Sequence, residues 1–378
     1  MALLADAMCD PRPRGLARYT RGLCAALLES GAVDLELVTH GEPSAAALPA
    51  VVRSPLTARR EVVREQLELP RLLARRAVDV LHAPANRGLP VWAPCPTVLT
   101  RHDAIERLFA TELGWAPRSR LRRRYADAIA MRRATAVATV SETARRDVAR
   151  VWPGVRTRTV VAGQGVEARF FEPVASSATA RLRERFALPS SFVLYVGGFE
   201  PRKDVPTLIR AVAACGIRDV GLVLAGALGP WGAAVEAAVA AAGVTGRTRV
   251  LDFVADDDLP ALYATAACLA CPSRYEGFGL PVVEAMAAGA PTIVTDGGAL
   301  PEVAGDAALV VAVGDVGALA RALGRVLTDA RTSARLVEQG RQRAAAHRWE
   351  RVVQRYIVLY RRLADAGTMP PAAQPVPA

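Results

Sequence analysis

Two glutamates and two glycines mark the stretch 272–291, PSRYEGFGLPVVEAMAAGAP, as a candidate site. Glu276 lies in a predicted loop, and Glu284 lies about one turn into the helix predicted to follow it. Gly277 and Gly279 allow the backbone to approach a ligand closely, because they carry no Cβ. The N–H groups at the start of a helix favour an anion, and the carboxylates can accept hydrogen bonds from sugar hydroxyls. The stretch therefore predicts a site for a phosphorylated polyol. The alternative is an ordinary loop and helix with two solvated glutamates.

A second stretch, FVLYVGGFEPRKDVPTLIRA, places two cations after a predicted strand. Arg202 can grip a phosphate with two N–H groups, and Lys203 supplies a compact charge. Lys203 is also the only lysine in the sequence. Fixed cations at a strand end could stabilise a departing nucleoside diphosphate. The alternative is a pair of solvated loop charges.

A histidine follows a third predicted strand, TVLT, in the N-terminal half of the chain. His102 is followed by Asp103, and a histidine there could orient a hydroxyl or donate to a developing oxyanion. A structural role for this histidine is the alternative. His40, His82 and His347 have no comparable context.

The glutamate stretch resembles the paired-glutamate motif of the retaining glycosyltransferases of family 4, with FGLPVVEAMA and GAP also matching. The resemblance implies the GT-B fold, in which two Rossmann-like, doubly wound α/β domains face each other across a cleft. It implies that Glu284 holds the donor ribose, while Glu276 and the following N–H groups hold the sugar. The implied donor-binding residues are Arg202, Lys203, Glu276, Gly277, Phe278, Gly279, Leu280 and Glu284. The implied catalytic residues are His102, Glu276 and Lys203.

Two departures from the family pattern affect the expected roles. Most members have an arginine directly after the strand glycine, where this chain has Gly198. The chain is similar instead to a branch with a G-x-x-E-P-R-K pattern, and we expect Arg202 to stand in. The stretch RGLARYT resembles the family's first loop, with Ala17 replacing its second glycine. The residues expected on the acceptor side are Gly15, Arg18 and Asp103.

The order of predicted strands and helices indicates two domains. Strands alternate with helices in both halves of the chain, which is typical of parallel βαβ units. A stretch rich in small residues and proline separates the halves. The predicted segments are an acceptor-side domain (1–165), a linker (166–180), a nucleotide-sugar domain (181–345), a helix crossing back to the first domain (346–366) and a disordered tail (367–378).

The charge and hydropathy of the chain limit its partners. The formal net charge is +11 and almost all of the basic residues are arginines. No aromatic-plus-basic pattern typical of nucleic-acid binding is present, so charge alone supports that alternative. No apolar run reaches the length of a membrane span, and the N-terminus lacks the features of a signal peptide, so we expect a cytoplasmic protein. The basic stretch 118–133 is predicted either to rest on the anionic inner membrane face, through Leu121, Tyr125 and Ile129, or to be a solvated helix.

Two further patterns suggest metal binding but favour structural roles. Cys268 and Cys271 form a lone C-x-x-C inside an apolar run, which predicts buried strand residues. Asp256, Asp257 and Asp258 precede a predicted helix, which predicts capping. We expect no metal and no cofactor, with a nucleoside-diphosphate sugar as co-substrate.

The predicted function is retaining, metal-independent transfer of a hexose to a hydroxyl of a glycan, glycolipid or small metabolite. The motif branch favours a donor similar to GDP-mannose, and the base, the sugar, the acceptor and the oligomeric state stay open. One alternative is a nucleotide-sugar epimerase, which would convert the donor without an acceptor. A second is a non-catalytic subunit that binds the sugar nucleotide.

Overall fold

The computed structural model describes residues 1–9, 15–40, 51–109 and 117–366, and for residues 117–123 it describes only the backbone. The chain divides into two compact units. The first contains Met1–Gly165 and the chain from Arg348 onward, and the second contains Val166–His347. The predicted disordered tail lies outside the described residues.

The first unit is built on a parallel sheet of seven described strands. Its strands are β1 (Ala2–Leu4), β2 (Glu36–Thr39), β3 (Val52–Pro55), β4 (Leu81–Ala83), β5 (Thr97–Arg101), β6 (Ala136–Thr139) and β7 (Thr159–Val161). Their order is β3-β2-β1-β4-β5-β6-β7. Strand order therefore reverses between β1 and β4, as in doubly wound folds.

The helices before the second unit connect these strands. They are α1 (Gly15–Ser30), α2 (Glu61–Val63), α3 (Leu69–Arg75), α4 (Ile105–Leu108), α5 (Pro117–Arg133) and α6 (Glu142–Val151). A π-helical turn (Arg64–Glu68) joins α2 to α3.

Three features of this sheet differ from the sequence prediction. The stretch 2–8, ALLADAM, predicts a single first strand, but this strand ends at Leu4, because Asp6–Cys9 forms a 3₁₀ turn. The prediction also missed β3 and β7, which lie at the two edges of the sheet. Three of the four residues of β3 are exposed, so this strand has no apolar run that would reveal it.

The second unit is built on a parallel sheet of six described strands, all of which were predicted. They are β8 (Ser191–Val196), β9 (Val220–Ala225), β10 (Thr248–Leu251), β11 (Cys268–Cys271), β12 (Thr292–Thr295) and β13 (Ala308–Val311). Their order is β10-β9-β8-β11-β12-β13. The central strands are buried on both faces, which gives the continuous apolar runs that made them recognisable.

Eight described helices belong to this unit. They are α7 (Ser176–Arg185), α8 (Val205–Ala214), α9 (Gly232–Ala241), α10 (Leu259–Thr265), α11 (Leu280–Ala287), α12 (Leu300–Ala304), α13 (Val316–Thr328) and α14 (Ala330–Ala345). Helix α7 begins inside the segment predicted as a linker, and that segment belongs to the second unit.

The last described helix, α15 (Trp349–Ala366), belongs to the first unit and contacts α1. The sequence RWERVVQRYIVLYRRLAD predicts an amphipathic helix with six residues on its apolar side, and the structure confirms this because all six are buried. They are Val352, Val353, Tyr356, Ile357, Tyr360 and Leu363.

Candidate active site

The predicted donor-binding residues of the second unit meet where strand order reverses. The loop after β8 carries Arg202 and Lys203, and the loop after β11 carries Glu276. Because β8 and β11 are neighbouring parallel strands, both loops leave the sheet at the same edge. Ligands of doubly wound sheets bind outside the carboxyl ends of strands at such a reversal.

Glu276 is the centre of this cluster. Its Oε1 accepts hydrogen bonds from Lys203 Nζ at 2.6 Å and from Ser273 Oγ at 2.7 Å. Its Oε2 accepts one from the Arg202 guanidinium at 3.2 Å. Glu276 is buried, and only 14–16% of each cationic side chain is exposed. These contacts rule out the interpretation of the three residues as solvated loop charges.

The surroundings of Glu276 keep it ionised. Burial alone would raise the pKa of its carboxyl group, since it disfavours the charge. The charges of Lys203 and Arg202, with the hydrogen bonds from Lys203 and Ser273, outweigh burial and lower this pKa to about 2. Glu276 therefore carries a negative charge throughout the neutral pH range.

Backbone contacts hold this carboxylate in place. The Arg274 N–H donates to the Arg202 carbonyl at 2.7 Å, which ties the two loops together. The Ala299 N–H donates to the Glu276 carbonyl at 2.8 Å. Gly298 has a φ of +62°, and a Cβ there would lie 2.4 Å from the Glu276 carbonyl oxygen. Only glycine fits this position, because both the backbone angle and the space exclude a side chain.

The second glutamate of the motif is also buried. Glu284 lies in α11, is 1% exposed, and accepts a hydrogen bond from the Tyr263 hydroxyl at 2.9 Å. The alternative of two solvated glutamates is therefore wrong for both residues. Tyr263 was not predicted to belong to the site, because its helix, α10, comes before β11 in the sequence and carries no recognisable motif.

The turn between the two glutamates is compact. Gly279 directly precedes α11 with a φ of +99°, in the left-handed region that favours glycine. The Phe278 side chain is buried and packs at nearly a right angle to the His347 ring. Of the other predicted donor residues, Gly277 lies in the same turn and is buried, and Leu280 is the first residue of α11 and is partly buried.

In the first unit, His102 follows β5 and is almost fully buried. Its Nε2 lies 2.8 Å from the Pro84 carbonyl, and its backbone N–H donates to the Asn86 side chain. A carbonyl only accepts, so Nε2 carries the proton. Burial lowers the pKa of His102, which favours the neutral ring. Its Nδ1 is then a hydrogen-bond acceptor, which suits the orientation of a hydroxyl better than donation to an oxyanion.

A buried polar network, which the sequence did not reveal, surrounds this histidine. The Tyr19 ring packs edge-on against His102 with centroids 4.5 Å apart, and its hydroxyl bonds to Thr100 and to Tyr356. Tyr19 of α1 thus packs on the His102 ring and is itself tied to β5 and α15 through its hydroxyl.

His82 extends the same network. Its two ring nitrogens lie 2.7 Å from the Thr100 and Tyr360 hydroxyls. Burial, with a smaller contribution from His102, lowers the pKa of His82 to about 3. We name Tyr19, His82, Thr100, His102, Tyr356 and Tyr360 the tyrosine–histidine network.

The predicted acceptor-side residues all lie in the first unit. Gly15 is exposed at the start of α1, and Arg18 is partly buried one turn later. The Asp103 side chain accepts a hydrogen bond from the Ile105 N–H at 3.0 Å, so it shapes the chain before α4.

The aspartate prediction is partly wrong. Asp258 directly precedes α10, yet its side chain makes no capping hydrogen bond. It pairs instead with Arg185 at 2.8 Å, and Asp257 pairs with Arg169 at 2.7 Å. The carboxylates of Asp257 and Asp258 therefore form ion pairs with arginines, and Asp258 does not accept a hydrogen bond from the backbone N–H groups at the start of α10.

The cysteine prediction is confirmed. Cys268 and Cys271 are buried in β11, and burial raises the pKa of their thiols to about 12 and about 11. Among the described residues, no group of three His, Cys, Asp or Glu side chains is placed to hold a metal ion. None of the described helices is long and apolar enough to cross a membrane.

Two family descriptions match the chain in succession. "Glycosyltransferase Family 4" matches residues 13–170, and "Glycosyl transferases group 1" matches residues 178–343. Together they cover most of both units.

The curated relatives include proteins named as glycosyltransferases. The D-inositol 3-phosphate glycosyltransferase of Salinispora arenicola is 39% identical over 154 residues, which cover 36% of this chain and 34% of the relative. The MMP alpha-(1->4)-mannosyltransferase of Mycolicibacterium hassiacum is 33% identical over 221 residues, which cover 57% of this chain and 50% of the relative. The matches thus span between a third and a half of these relatives.

Solved structures share the fold over nearly the whole chain. Sucrose-phosphate synthase from Thermosynechococcus elongatus has a TM-score of 0.78 at 24% identity, covering 97% of this chain and 99% of that one. Anabaena HepE in complex with UDP and glucose has a TM-score of 0.73 at 19% identity, covering 96% and 99%. With both sequence families matched and this GT-B architecture shared, the chain belongs to glycosyltransferase family 4.

Proposed function

We propose that this protein is a retaining glycosyltransferase that moves a hexose from a nucleoside-diphosphate sugar to an acceptor hydroxyl. The observation that carries the proposal is the buried cluster in which Lys203 and Arg202 meet Glu276 at the edge of the sheet. It combines cations for a diphosphate with a carboxylate that stays ionised at neutral pH and can accept hydrogen bonds from sugar hydroxyls.

Each residue of the cluster has a separate proposed role. Lys203 uses one N–H for Glu276 in the described structure, and its ammonium can offer the other two to phosphate oxygens. Arg202 donates hydrogen bonds to the Glu276 carboxylate and to the Tyr275 carbonyl, so it fixes the position of the carboxylate. Its guanidinium also adds positive charge for the diphosphate. Glu284, already held by Tyr263, would accept hydrogen bonds from the ribose.

The proposed reaction breaks the bond between the sugar and the diphosphate and forms the new glycosidic bond on the same face. The cations stabilise the departing diphosphate, which takes the proton of the acceptor hydroxyl. His102 would orient a hydroxyl through Nδ1, since its Nε2 proton is held by Pro84. No metal is needed in this proposal, because the lysine and arginine supply the positive charge.

We propose a GDP-mannose-like donor, since several relatives, including the mannosyltransferase above, are named for mannose transfer. HepE binds UDP, so the base is an open question that one experiment can answer. Thermal unfolding should be measured with UDP, GDP, ADP and dTDP and their hexose conjugates, because a ligand of the folded state raises the melting temperature. If none of them raises it, the proposed function is wrong.

The same experiment continues with the conjugate that binds. Incubated without an acceptor, it should be recovered unchanged. Its conversion to another nucleotide sugar would establish the epimerase alternative, which receives no support from the relatives above.

Contact of α5 with an anionic membrane is a further part of the proposal. Tyr125 is 72% exposed and Arg124, Arg132 and Arg133 are exposed, whereas Asp127 is buried against Arg101. The helix therefore has one anchored side and one exposed basic side. The protein should co-sediment with phosphatidylglycerol vesicles at low salt. Replacement of Tyr125 by alanine should weaken this binding to the vesicles. Absence of co-sedimentation would exclude the contact.

A further inference from the structure

A third glutamate, Glu200, lies on the same loop as Lys203 and has no role in the proposed reaction. The loop makes a tight turn in which the Lys203 N–H donates to the Glu200 carbonyl at 2.8 Å. Glu200 directly precedes the 3₁₀ turn Pro201–Lys203, but its side chain does not cap that turn. Hydrogen bonds to the backbone of this turn therefore do not determine the position of the Glu200 carboxylate.

The carboxylate folds against a glycine. A Cβ placed on Gly198 would lie 2.5 Å from Glu200 Oε2 and 2.9 Å from Oε1. Any other residue at 198 would push the carboxylate away. The Tyr195 hydroxyl donates to the Gly198 carbonyl, which holds the glycine in place beneath Glu200.

The Glu200 carboxylate has an unused acceptor. Its Oε2 is buried and receives no hydrogen bond from the described residues. A buried acceptor without a partner is costly, so such an atom in a folded protein calls for an explanation, and one is a functional role.

The charges nearby limit which ligand this could be. Glu200 and Glu276 both lie close enough to the Tyr195 phenol to raise its pKa, after the larger effect of burial, and Arg202 opposes them. Glu200 is thus part of the same electrostatic environment as the proposed donor site. A carboxylate repels phosphate oxygens, so the diphosphate is excluded as its partner. Sugar hydroxyls are neutral donors that it can accept.

We propose that Glu200 accepts a hydrogen bond from a hydroxyl of the transferred sugar of the nucleotide donor and so helps to select that sugar. This inference rests on the proposed function. The loop that carries the proposed diphosphate-binding residues would then also carry Glu200, a residue that determines sugar specificity. Gly198 leaves the space that the Glu200 carboxylate occupies.

The test compares binding of a nucleoside diphosphate with binding of its sugar conjugate. GDP and GDP-mannose, and UDP and UDP-glucose, are titrated calorimetrically into wild type, Glu200→Ala, Glu200→Gln and Gly198→Ala. In Glu200→Ala the affinity for the sugar conjugate should fall about tenfold or more, which is typical for loss of a hydrogen bond to a charged group. The affinity for the diphosphate alone should be unchanged or slightly higher. Glu200→Gln should lie between wild type and Glu200→Ala.

Gly198→Ala provides an independent test. The carboxylate remains present but is displaced by the new methyl group, so the loss should again be confined to the sugar conjugate. The matched control is Glu236→Ala, an exposed glutamate on α9, which should bind both ligands as wild type does.

Stability separates this role from a merely structural one. Because Oε2 receives no hydrogen bond from the residues that the structure describes, Glu200→Ala should melt at the same or a higher temperature than wild type without ligand. A lower melting temperature would show that the carboxylate supports the loop, and would overturn the proposal.

Other outcomes also overturn it. Equal losses for the diphosphate and its conjugate would place Glu200 at the nucleotide, and a change confined to the KM of the acceptor would place it at the acceptor. If wild type binds neither GDP nor UDP nor their conjugates, the proposed function fails together with this inference. If wild type binds them and the variants match it, the inference alone fails.

Discussion

Two buried polar clusters, one in each unit, differ in their charge and in how many of their hydrogen-bonding groups have partners within the protein. In the second unit, Glu276 is charged and faces two cations, one of which retains N–H groups for a ligand. In the first unit, the tyrosine–histidine network is neutral, and both nitrogens of His82 are bonded within the protein. A charged group with N–H donors left over indicates a binding site, whereas a neutral network of paired hydroxyls and ring nitrogens indicates a scaffold, here one that holds His102. The comparison predicts that substitutions in the two clusters damage different properties.

The largest expected effect is on activity in the charged cluster. Lys203→Ala should lower the rate of sugar transfer at least about 100-fold, as is typical when a donor to a developing negative charge is removed. The fold should survive, because Glu276 keeps its hydrogen bonds to Arg202 and Ser273. Transfer assays and circular dichroism would measure both properties. Near wild-type activity would refute the diphosphate assignment.

The next effect is a loss of stability of the neutral network in acid. Folding lowers the pKa of His82 from 6.5 to about 3, so the unfolded chain binds more protons between these values. The free energy of unfolding should therefore fall as the pH drops below about 6.5, by up to about 1.4 kcal/mol per pH unit for this histidine. His82→Gln should flatten the slope between pH 6.5 and 5, as measured by urea denaturation. An unchanged slope would contradict the buried neutral histidine.

The contribution of the charged cluster to the free energy of unfolding changes in a lower pH range than that of the neutral network. The pKa of Glu276 is lowered from 4.5 to about 2, so its contribution is complete above pH 4.5 and is lost as the pH falls toward 2. Glu276→Gln should change the pH dependence of unfolding only below about pH 4.5. A change confined to higher pH would mean that another group causes it.

A smaller effect is expected for a single hydroxyl of the network. Tyr19→Phe removes the hydroxyl that bonds to Thr100 and Tyr356, and should lower the free energy of unfolding by about 1–2 kcal/mol. Donor affinity should be retained, in contrast to Lys203→Ala. Chemical denaturation and donor titration test the two parts. Loss of donor affinity with unchanged stability would reverse the assignment of scaffold and site.

The smallest effect is expected at Glu284. Tyr263→Phe removes one hydrogen bond to this carboxylate and should weaken nucleoside diphosphate binding by a factor of about 5, because Glu284 remains in place but is less well oriented. Calorimetric titration would measure it. Tighter binding in this variant would show that Tyr263 competes with the ribose.

The sequence identified the charged cluster because its members lie in motifs at the ends of buried strands. Lys203 and Glu276 are 73 residues apart, but alternating strands and helices predict that their loops share one edge of a sheet. The six strands of the second unit were equally visible, since each is an apolar run. The pairing of Glu276 with both cations was not predictable, because it depends on side-chain positions rather than on order along the chain.

The tyrosine–histidine network could not be predicted for a related reason. The sequence pattern places Tyr356 and Tyr360 on an apolar helix face, which is correct, but the partners of their hydroxyls lie 193 to 337 residues earlier in the sequence. The sequence pattern also cannot decide between capping and ion pairing. Asp258 fits the rule for a helix start, and only the position of Arg185 shows why its side chain turns elsewhere.

The placement of α15 has a consequence for the order of folding during translation. The ribosome synthesises this helix after all of the second unit, yet its tyrosines complete the polar interior of the first. The second unit is contiguous and can fold as soon as it has emerged, as domains generally do during synthesis. The N-terminal half of the polypeptide is synthesised first. Its strands β4 and β5 therefore stay incompletely covered until α15 has been synthesised.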